Sequence, residues 1–216
     1  MIACAALIFD MDGLMVDSEP LWFRVERDFA RARGGDWTEA LAHACIGTGI
    51  AHTLRTMHDS FGFPVDLARD ADAIVDAFVG RVAELSLKTG CRELLDEAGA
   101  RSIPCAVASS SARRLVEATL DRFGLRPRFG AVVTGSCVAR PKPAPDIFLE
   151  AARRLGQAPG ECVVLEDSLA GVTAARAAGM RAIAVPEHHP ERFASLADAV
   201  VDDLHRARAL LRLAAA

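Results

Sequence analysis

A parallel α/β sheet interrupted early by a helical segment is the fold this sequence predicts, and three observations predict it. A short apolar run, Ala5 to Phe9, ends abruptly in Asp10 and reads as a buried strand. From Ile103 onward, apolar strand-like runs alternate with amphipathic helices. Between the two, from about Ser18 to Lys88, strand runs are missing and apolar residues recur at helical spacing. Strand–helix alternation of this length implies right-handed crossovers and a parallel sheet covered on both faces.

In chain order, the helical segment is marked by Leu21, Val25 and Phe29, then Leu54 and Met57, then Ile74, Phe78, Val82 and Leu85. Residues 18–88 are expected to form an inserted helical domain, with 1–17 and 89–216 as the α/β domain and hinges at Asp17–Pro20 and Ser86–Gly90. An insertion at the active edge of a sheet reads either as a lid that opens and closes or as a rigidly docked bundle. Later strands are expected at Pro104–Ser109, Ala131–Thr134, Cys162–Asp167, Arg181–Val185 and Ala199–Val201. Ser111 is placed to cap a helix carrying Leu115, Val116, Thr119, Leu120 and Phe123, closed by Gly124. Pro145 opens a second, ending at Gly156, and Ser168 caps a third that runs toward Gly179. A last helix is expected over Leu204–Leu213.

The chain has 216 residues, 51% of them hydrophobic, enough for one sizeable domain with an insertion. A net charge of −4, with acidic and basic residues interleaved, argues against a nucleic-acid partner. No apolar run reaches the roughly 18 residues that span a bilayer, and nothing resembles a signal peptide. A cytoplasmic protein is expected, monomer or homodimer, without a membrane partner. Six cysteines (4, 45, 91, 105, 137 and 162) show neither C-x-x-C pairing nor a ligand-type spacing to histidine, and are expected to be reduced, mostly core residues rather than a zinc site. Of 25 basic residues only Lys88 and Lys142 are lysines, so each raises the question of why an ammonium is needed there.

Four strand ends carry residues able to do chemistry. Asp10 and Asp12, two apart at the end of the first strand, can act on one reacting group while Gly13 lets the chain turn. In open α/β sheets ligands bind beyond the carboxyl ends of the strands, which is where these carboxylates fall. Ser109, Ser110 and Ser111 stand where a strand meets a helix N-terminus, a place that favours an anion such as phosphate, although Ser111 can simply cap the helix. Lys142 is locked between prolines in Arg140-Pro-Lys-Pro-Ala-Pro145, where a compact point charge suits an anionic site. Glu166-Asp167 ends another strand; adjacent carboxylates repel unless solvated or bound to a cation such as Mg²⁺, which takes oxygen ligands.

In the order D-x-D-G, S, K, E-D, each at a strand end, these motifs resemble the haloacid dehalogenase-like hydrolase superfamily over nearly the whole chain. Asp10-Met-Asp-Gly-Leu-Met-Val-Asp-Ser-Glu-Pro20, Lys142-Pro-Ala-Pro-Asp146 and Glu166-Asp-Ser168 are similar to its β-phosphoglucomutase-like branch, and Ser18-Glu-Pro-Leu-Trp22 to its 2-deoxyglucose-6-phosphate phosphatases. The resemblance implies a Rossmann-like core, a helical cap, and a phosphatase of small phosphorylated metabolites, sugar phosphates first. It implies that Asp10 is the nucleophile and Asp12 the general acid and base. Lys142 and Ser109, with backbone amides near Met11 and Ser110, would stabilise the transferring group. Mg²⁺ would be held by Asp10, Glu166, Asp167 and the main-chain carbonyl of Asp12.

Relatives within the superfamily differ at identifiable positions. Dehalogenases lack the second aspartate, so Asp12 argues against them. Mutases carry a histidine at the position matching Trp22 and an arginine in the cap loop where residues 47–52 place Ile50; Arg113 is left as a candidate for a distal anion. Trp22 and Ile50 are therefore candidate specificity residues, and Ser111 and Arg113 candidate substrate contacts. A hexose-phosphate mutase is the alternative enzyme. A non-catalytic binding or scaffold protein is the alternative of another class, and retention of nucleophile, lysine and metal pair argues against it.

Overall fold

The computed structural model of the protein describes residues 2–46 and 48–213, so Gly47 of the 47–52 loop lies outside the described residues. The chain divides into two compact units, Met1–Asp17 with Ser86–Ala216, and Ser18–Leu85. Residues 86–88 go with the first unit because Asp17 N donates to Ser86 O, Lys88 N donates to Met15 O, and Val16 bridges Leu87.

The first unit opens with β1 (Ile2–Cys4) and β2 (Ala6–Phe9). The second unit then intervenes as four helices: α1 (Glu19–Arg31), α2 (Glu39–Cys45), α3 (Ile50–Phe61) and α4 (Leu67–Val79). Their ends follow local rules. Pro20 sits in the first turn of α1, Thr38 accepts from Leu41 N to cap α2, Asp66 accepts from Arg69 N to cap α4, and left-handed Gly62 closes α3. Leu21, Val25, Leu54, Met57, Ile74 and Phe78 bury one stripe each. Val82 and Leu85 do not extend α4 as expected: Gly80 ends it, and a separate 3-10 turn covers Val82–Glu84.

The first unit resumes with α5 (Cys91–Ala100), β3 (Cys105–Ser109), α6 (Arg113–Arg122), β4 (Ala131–Thr134), α7 (Asp146–Leu155), β5 (Cys162–Glu166), α8 (Leu169–Ala177), β6 (Arg181–Ala184), β7 (Ala199–Val200), α9 (Leu204–Leu210) and β8 (Leu211–Leu213). Six strands form one parallel sheet in the order β4-β3-β2-β5-β6-β7. β2 to β5 are buried at every position, which is why each reads as a continuous apolar run. One face presents mostly small residues, Ala6, Ala106, Ala108 and Ala131, and packs with Phe148, Ile147 and Ala151 of α7 and Val172 and Ala175 of α8. Each fully buried large apolar side chain there stabilises the fold by about 1.5–3 kcal/mol.

Two further expectations fail. The C-terminal helix ends at Leu210, and Leu211–Leu213 form a strand that pairs in parallel with β1, Ile2 opposite Leu211. Ser111 does not cap α6: the helix starts at Arg113 with Ala112 at its cap position and no side-chain cap. Among the described residues, no helix is long and apolar enough to cross a membrane.

The topology puts the switch point at β2, because the chain builds β3 and β4 on one side of it and β5 to β7 on the other. Register then sets what emerges together. Phe9 is paired with both Val107 and Leu165, so Asp10 leaves the sheet level with Ala108 and Glu166.

Candidate active site

Asp10 follows the last residue of β2 but stays on the ladder, its N–H donating to Leu165 O at 3.0 Å. The chain then folds back at once. Gly13 N donates to Val16 O, and Met15 N and Val16 N donate to Met11 O. Gly13 has φ +78°, and a Cβ there would collide with the Asp167 carboxylate, so both backbone shape and space require glycine. Met11, Leu14, Met15 and Val16 are buried beneath this turn.

Lys142 is the hub. Its Nζ donates to Asp10 Oδ1 at 2.5 Å, Glu166 Oε1 at 2.6 Å and Ala108 O at 3.1 Å, which uses all three protons of the ammonium. It also lies 4.9 Å from the centroid of the Phe148 ring. The loop that carries it is pinned by Arg140, which grips the Asp146 carboxylate at the start of α7 with two bonds of 2.8 and 3.1 Å.

Glu166, the last residue of β5, is fully buried. Its second oxygen accepts from Ser168 N at 2.7 Å and Ser168 Oγ at 2.9 Å, and that hydroxyl in turn accepts from Gly171 N to cap α8. A Cβ at Gly171 would collide with the Glu166 carboxylate. Asp12 is held from the neighbouring strand end. Its Oδ2 accepts from Ser111 Oγ at 2.7 Å and, at the long limit of 3.5 Å, from Ser109 Oγ. Ser109, itself 1% exposed, accepts from Ser111 N at 3.1 Å.

The electrostatics follow from this crowding. Burial first, then the neighbouring Glu166 and Asp12 charges, push the Asp10 carboxyl up to about 7 against the opposing pull of Lys142. Asp167 is raised well above the ordinary carboxylate value, by burial and then by Glu166 and Asp10. Burial works against the Lys142 ammonium, but the Asp10 and Glu166 carboxylates together raise it above its ordinary value.

Three carboxylates, Asp10, Glu166 and Asp167, place oxygens within 4.8 Å of one another. An all-oxygen set, with two of its carboxyls resisting ionisation for want of more positive charge, suits a hard divalent cation such as Mg²⁺. Both Glu166 oxygens already accept from Lys142 and Ser168, which leaves Asp10 and Asp167 as the carboxylates available for direct ligation.

Of the residues singled out in the sequence, Asp10, Asp12, Ser109, Ser111, Lys142, Glu166 and Asp167 meet at this sheet edge. Met11 is buried in the turn and Ser110 is exposed. Arg113 is turned to Glu117 at 3.4 Å and the Cys137 sulfur at 3.1 Å. Trp22 and Ile50 belong to the helical unit. Trp22 packs on Phe78 with ring centroids 4.3 Å apart, and Ile50 is the half-buried first residue of α3. Sequence reasoning missed three features: the Ala108 carbonyl, the tie from Ser168 and Gly171 to Glu166, and Cys137. Burial pushes the Cys137 thiol up, yet Thr134, Arg154 and Arg113 hold it down at about 7.

Known proteins are similar to this chain in sequence and fold. The structure superposes on that of CbbY from Rhodobacter sphaeroides in complex with phosphate with a TM-score of 0.85, at 31% identity and covering 94% of this chain and 95% of that one. The chain is 37% identical over 185 residues to fructose-1-phosphate phosphatase YqaB of Escherichia coli K12, covering 84% of this chain and 96% of the relative. It is 32% identical over 198 residues to hexitol phosphatase B of the same organism, covering 84% and 83%. It is 38% identical over 187 residues to the chloroplastic protein SUPPRESSOR OF QUENCHING 1 of Arabidopsis thaliana, of whose length it spans 18%. The sequence model of the haloacid dehalogenase-like hydrolases matches residues 7–185, and the chain belongs to that family of enzymes.

Proposed function

We propose that this chain is a Mg²⁺-dependent phosphatase of small phosphorylated metabolites, sugar phosphates first, working through a phosphoaspartyl intermediate on Asp10. The observation that carries the reading is the 2.5 Å contact between the Asp10 carboxylate and the Lys142 ammonium, at the end of the central strand. The Asp10 carboxylate attacks phosphorus as the bond to the leaving oxygen breaks, and Asp12 gives that oxygen its proton. Asp12 then takes a proton from the water that attacks the aspartyl phosphate, which releases inorganic phosphate and restores Asp10. Lys142 and Ser109, with the backbone N–H groups of Met11 and Ser110, are the donors for the oxygens of the transferring group. When bound by Asp10, Asp167 and the main-chain carbonyl of Asp12, Mg²⁺ supplies the positive charge that lets an anionic nucleophile meet an anionic phosphate.

Sugar phosphates are favoured because two relatives at 37% and 32% identity are a fructose-1-phosphate phosphatase and a hexitol phosphatase. Trp22 and Ile50 are assigned to substrate choice, with Ser111 and Arg113 near the phosphate-binding strand end. Trp22 and Ile50, in place of a histidine and an arginine, favour hydrolysis over a mutase with a bisphosphate intermediate.

The test is phosphate release from phosphorylated sugars, phosphoglycolate and nucleotides, with Mg²⁺ and with EDTA. Mg²⁺-dependent release from one or a few sugar phosphates is the expected result. Silence on the whole panel, with turnover of β-glucose 1-phosphate only after a bisphosphate primer, would turn the assignment to the mutase.

A further inference from the structure

We propose that Ser111 is a positioning residue for Asp12, its hydroxyl fixing the carboxyl that delivers the proton to the leaving oxygen. This rests on the reading of Asp12 as the general acid.

Four observations carry it. A serine at a helix cap position spends its oxygen on the helix's free N–H groups, but Ala112 takes that position here and Ser111 lies one residue before it. Here α6 has no side-chain cap, and the Ser111 hydroxyl is 2.7 Å from Asp12 Oδ2, across 99 residues of chain. The Ser111 backbone is itself anchored, its N–H donating to Ser109 Oγ at 3.1 Å, and Ser109 is buried at the end of β3. Because Phe9 pairs with Val107, residues 12 and 109–111 leave adjacent strands at the same edge, so the contact follows from sheet register. Ser109 approaches the same oxygen only at 3.5 Å, so of the two serines Ser111 is the stronger partner.

The chemistry of the group fits the task. A proton shuttle passes through an ionised and a protonated state. A hydroxyl donates to a carboxylate and can accept from a carboxylic acid, so one serine can hold Asp12 in both. An ammonium can only donate, and so would hold the ionised form alone. Ser111 is thereby assigned to the leaving-group step rather than to the phosphate alone.

Leaving groups separate these roles. Phenyl phosphate and p-nitrophenyl phosphate are close in size, but nitrophenolate leaves with little help from an acid whereas phenolate needs more. The quantity to compare is kcat/KM, which reports the transfer to Asp10 and excludes the later hydrolysis. Ser111→Ala is expected to lower kcat/KM for phenyl phosphate about tenfold or more, and for p-nitrophenyl phosphate less than about threefold. Asp12→Asn should show the same selectivity with larger losses, and Ser111→Thr, which keeps the hydroxyl, should restore phenyl phosphate turnover.

Equal losses on both esters would overturn the proposal, because they would make Ser111 a phosphate contact or a structural residue. If Asp12→Asn itself discriminates between neither ester, the acid assignment falls first and this one with it. Should Ser111→Ala fail to fold, Ser111→Gly and Ser111→Thr carry the comparison: equal losses on both esters in the first, or a selective loss that the second shares, also overturns it.

Discussion

Lys142 and Asp10 are separated by 132 residues of chain yet joined by a 2.5 Å hydrogen bond, in which the ammonium is 6% exposed and the carboxylate 10%. So buried a pair is costly to assemble and more costly to break, because removing one partner strands the charge of the other. Lys142 also serves Glu166, so its loss strands two carboxylates.

Lys142→Met should therefore lower kcat on the order of 10²-fold or more and leave the protein about 3 kcal/mol or more less stable near pH 8. The stability loss should shrink toward pH 5, where Asp10, already lifted to about 7, takes a proton instead of facing burial uncompensated. Lys142→Arg is not expected to rescue it, since a planar fork does not fill a place built for three acceptors around one nitrogen. Urea unfolding at the two pH values checks this; an equal loss at both would show that the contact is not electrostatic.

Cation binding should carry its own pH signature. Asp10 and Asp167 hold protons in the folded state that the unfolded chain releases, so in the cation-free protein their contribution to stability is complete below the ordinary carboxylate value and is lost as pH rises, for Asp10 through about 7. Mg²⁺ needs both carboxylates ionised and opposes the same repulsion, so its stabilisation by mass action should be larger near pH 8 than near pH 5. The measurement is the Tm difference between Mg²⁺ and EDTA at each pH, repeated with Asp10→Asn. A shift of the same size at both pH values, or one that survives Asp10→Asn and Asp167→Asn together, would place the cation elsewhere.

What the sequence makes legible here is what chain-local physics decides. Buried parallel strands must be apolar throughout, so β2, β3, β4 and β5 stand out, and carboxylates at the ends of two of them mark the site edge. Lys142 stands out because lysine is scarce in this chain. What stays hidden is decided by partners remote in sequence. Ser111 reads as the cap of α6, but Ala112 takes that position and the Ser111 hydroxyl bonds Asp12. Leu211 and Leu213 continue a helical spacing, yet they alternate with exposed Arg212 and pair with β1, at the other end of the chain. The requirement for Gly171 depends on where a glutamate five residues earlier directs its carboxylate, which no spacing rule reveals.

That glycine supports a prediction with an unusual sign. In a helix, Gly→Ala ordinarily stabilises by roughly 0.5–1 kcal/mol. At Gly171 the added methyl meets the Glu166 carboxylate, which is fully buried and committed to Lys142 and Ser168. Gly171→Ala should instead destabilise by about 1–3 kcal/mol and reduce kcat, as Glu166 shifts and Lys142 follows. Gly160→Ala, where nothing lies within 4 Å of the new atom, is the control and should be nearly neutral. A Gly171→Ala protein as stable and active as the parent would show that the carboxylate has room to move.

The helical unit holds a titratable group of its own. Glu26 is 8% exposed, and its carboxylate accepts from the indole N–H of Trp37, itself 1% exposed, at 3.0 Å. Burial lifts this carboxyl to about 7, more than the indole bond lowers it. The folded state thus keeps a proton that the unfolded chain releases near 4.5; the contribution is complete below that value and is lost as pH climbs through about 7. By pH 8 the ionised side chain costs roughly 2–4 kcal/mol. Glu26→Gln keeps an oxygen for the indole and carries no charge at any pH. It should match the parent protein near pH 5 and exceed it near pH 8 by roughly 1–3 kcal/mol, read as a Tm gap that opens with pH. A gap that stays constant across that range would mean that water reaches Glu26 and the carboxyl ionises as it would at the surface.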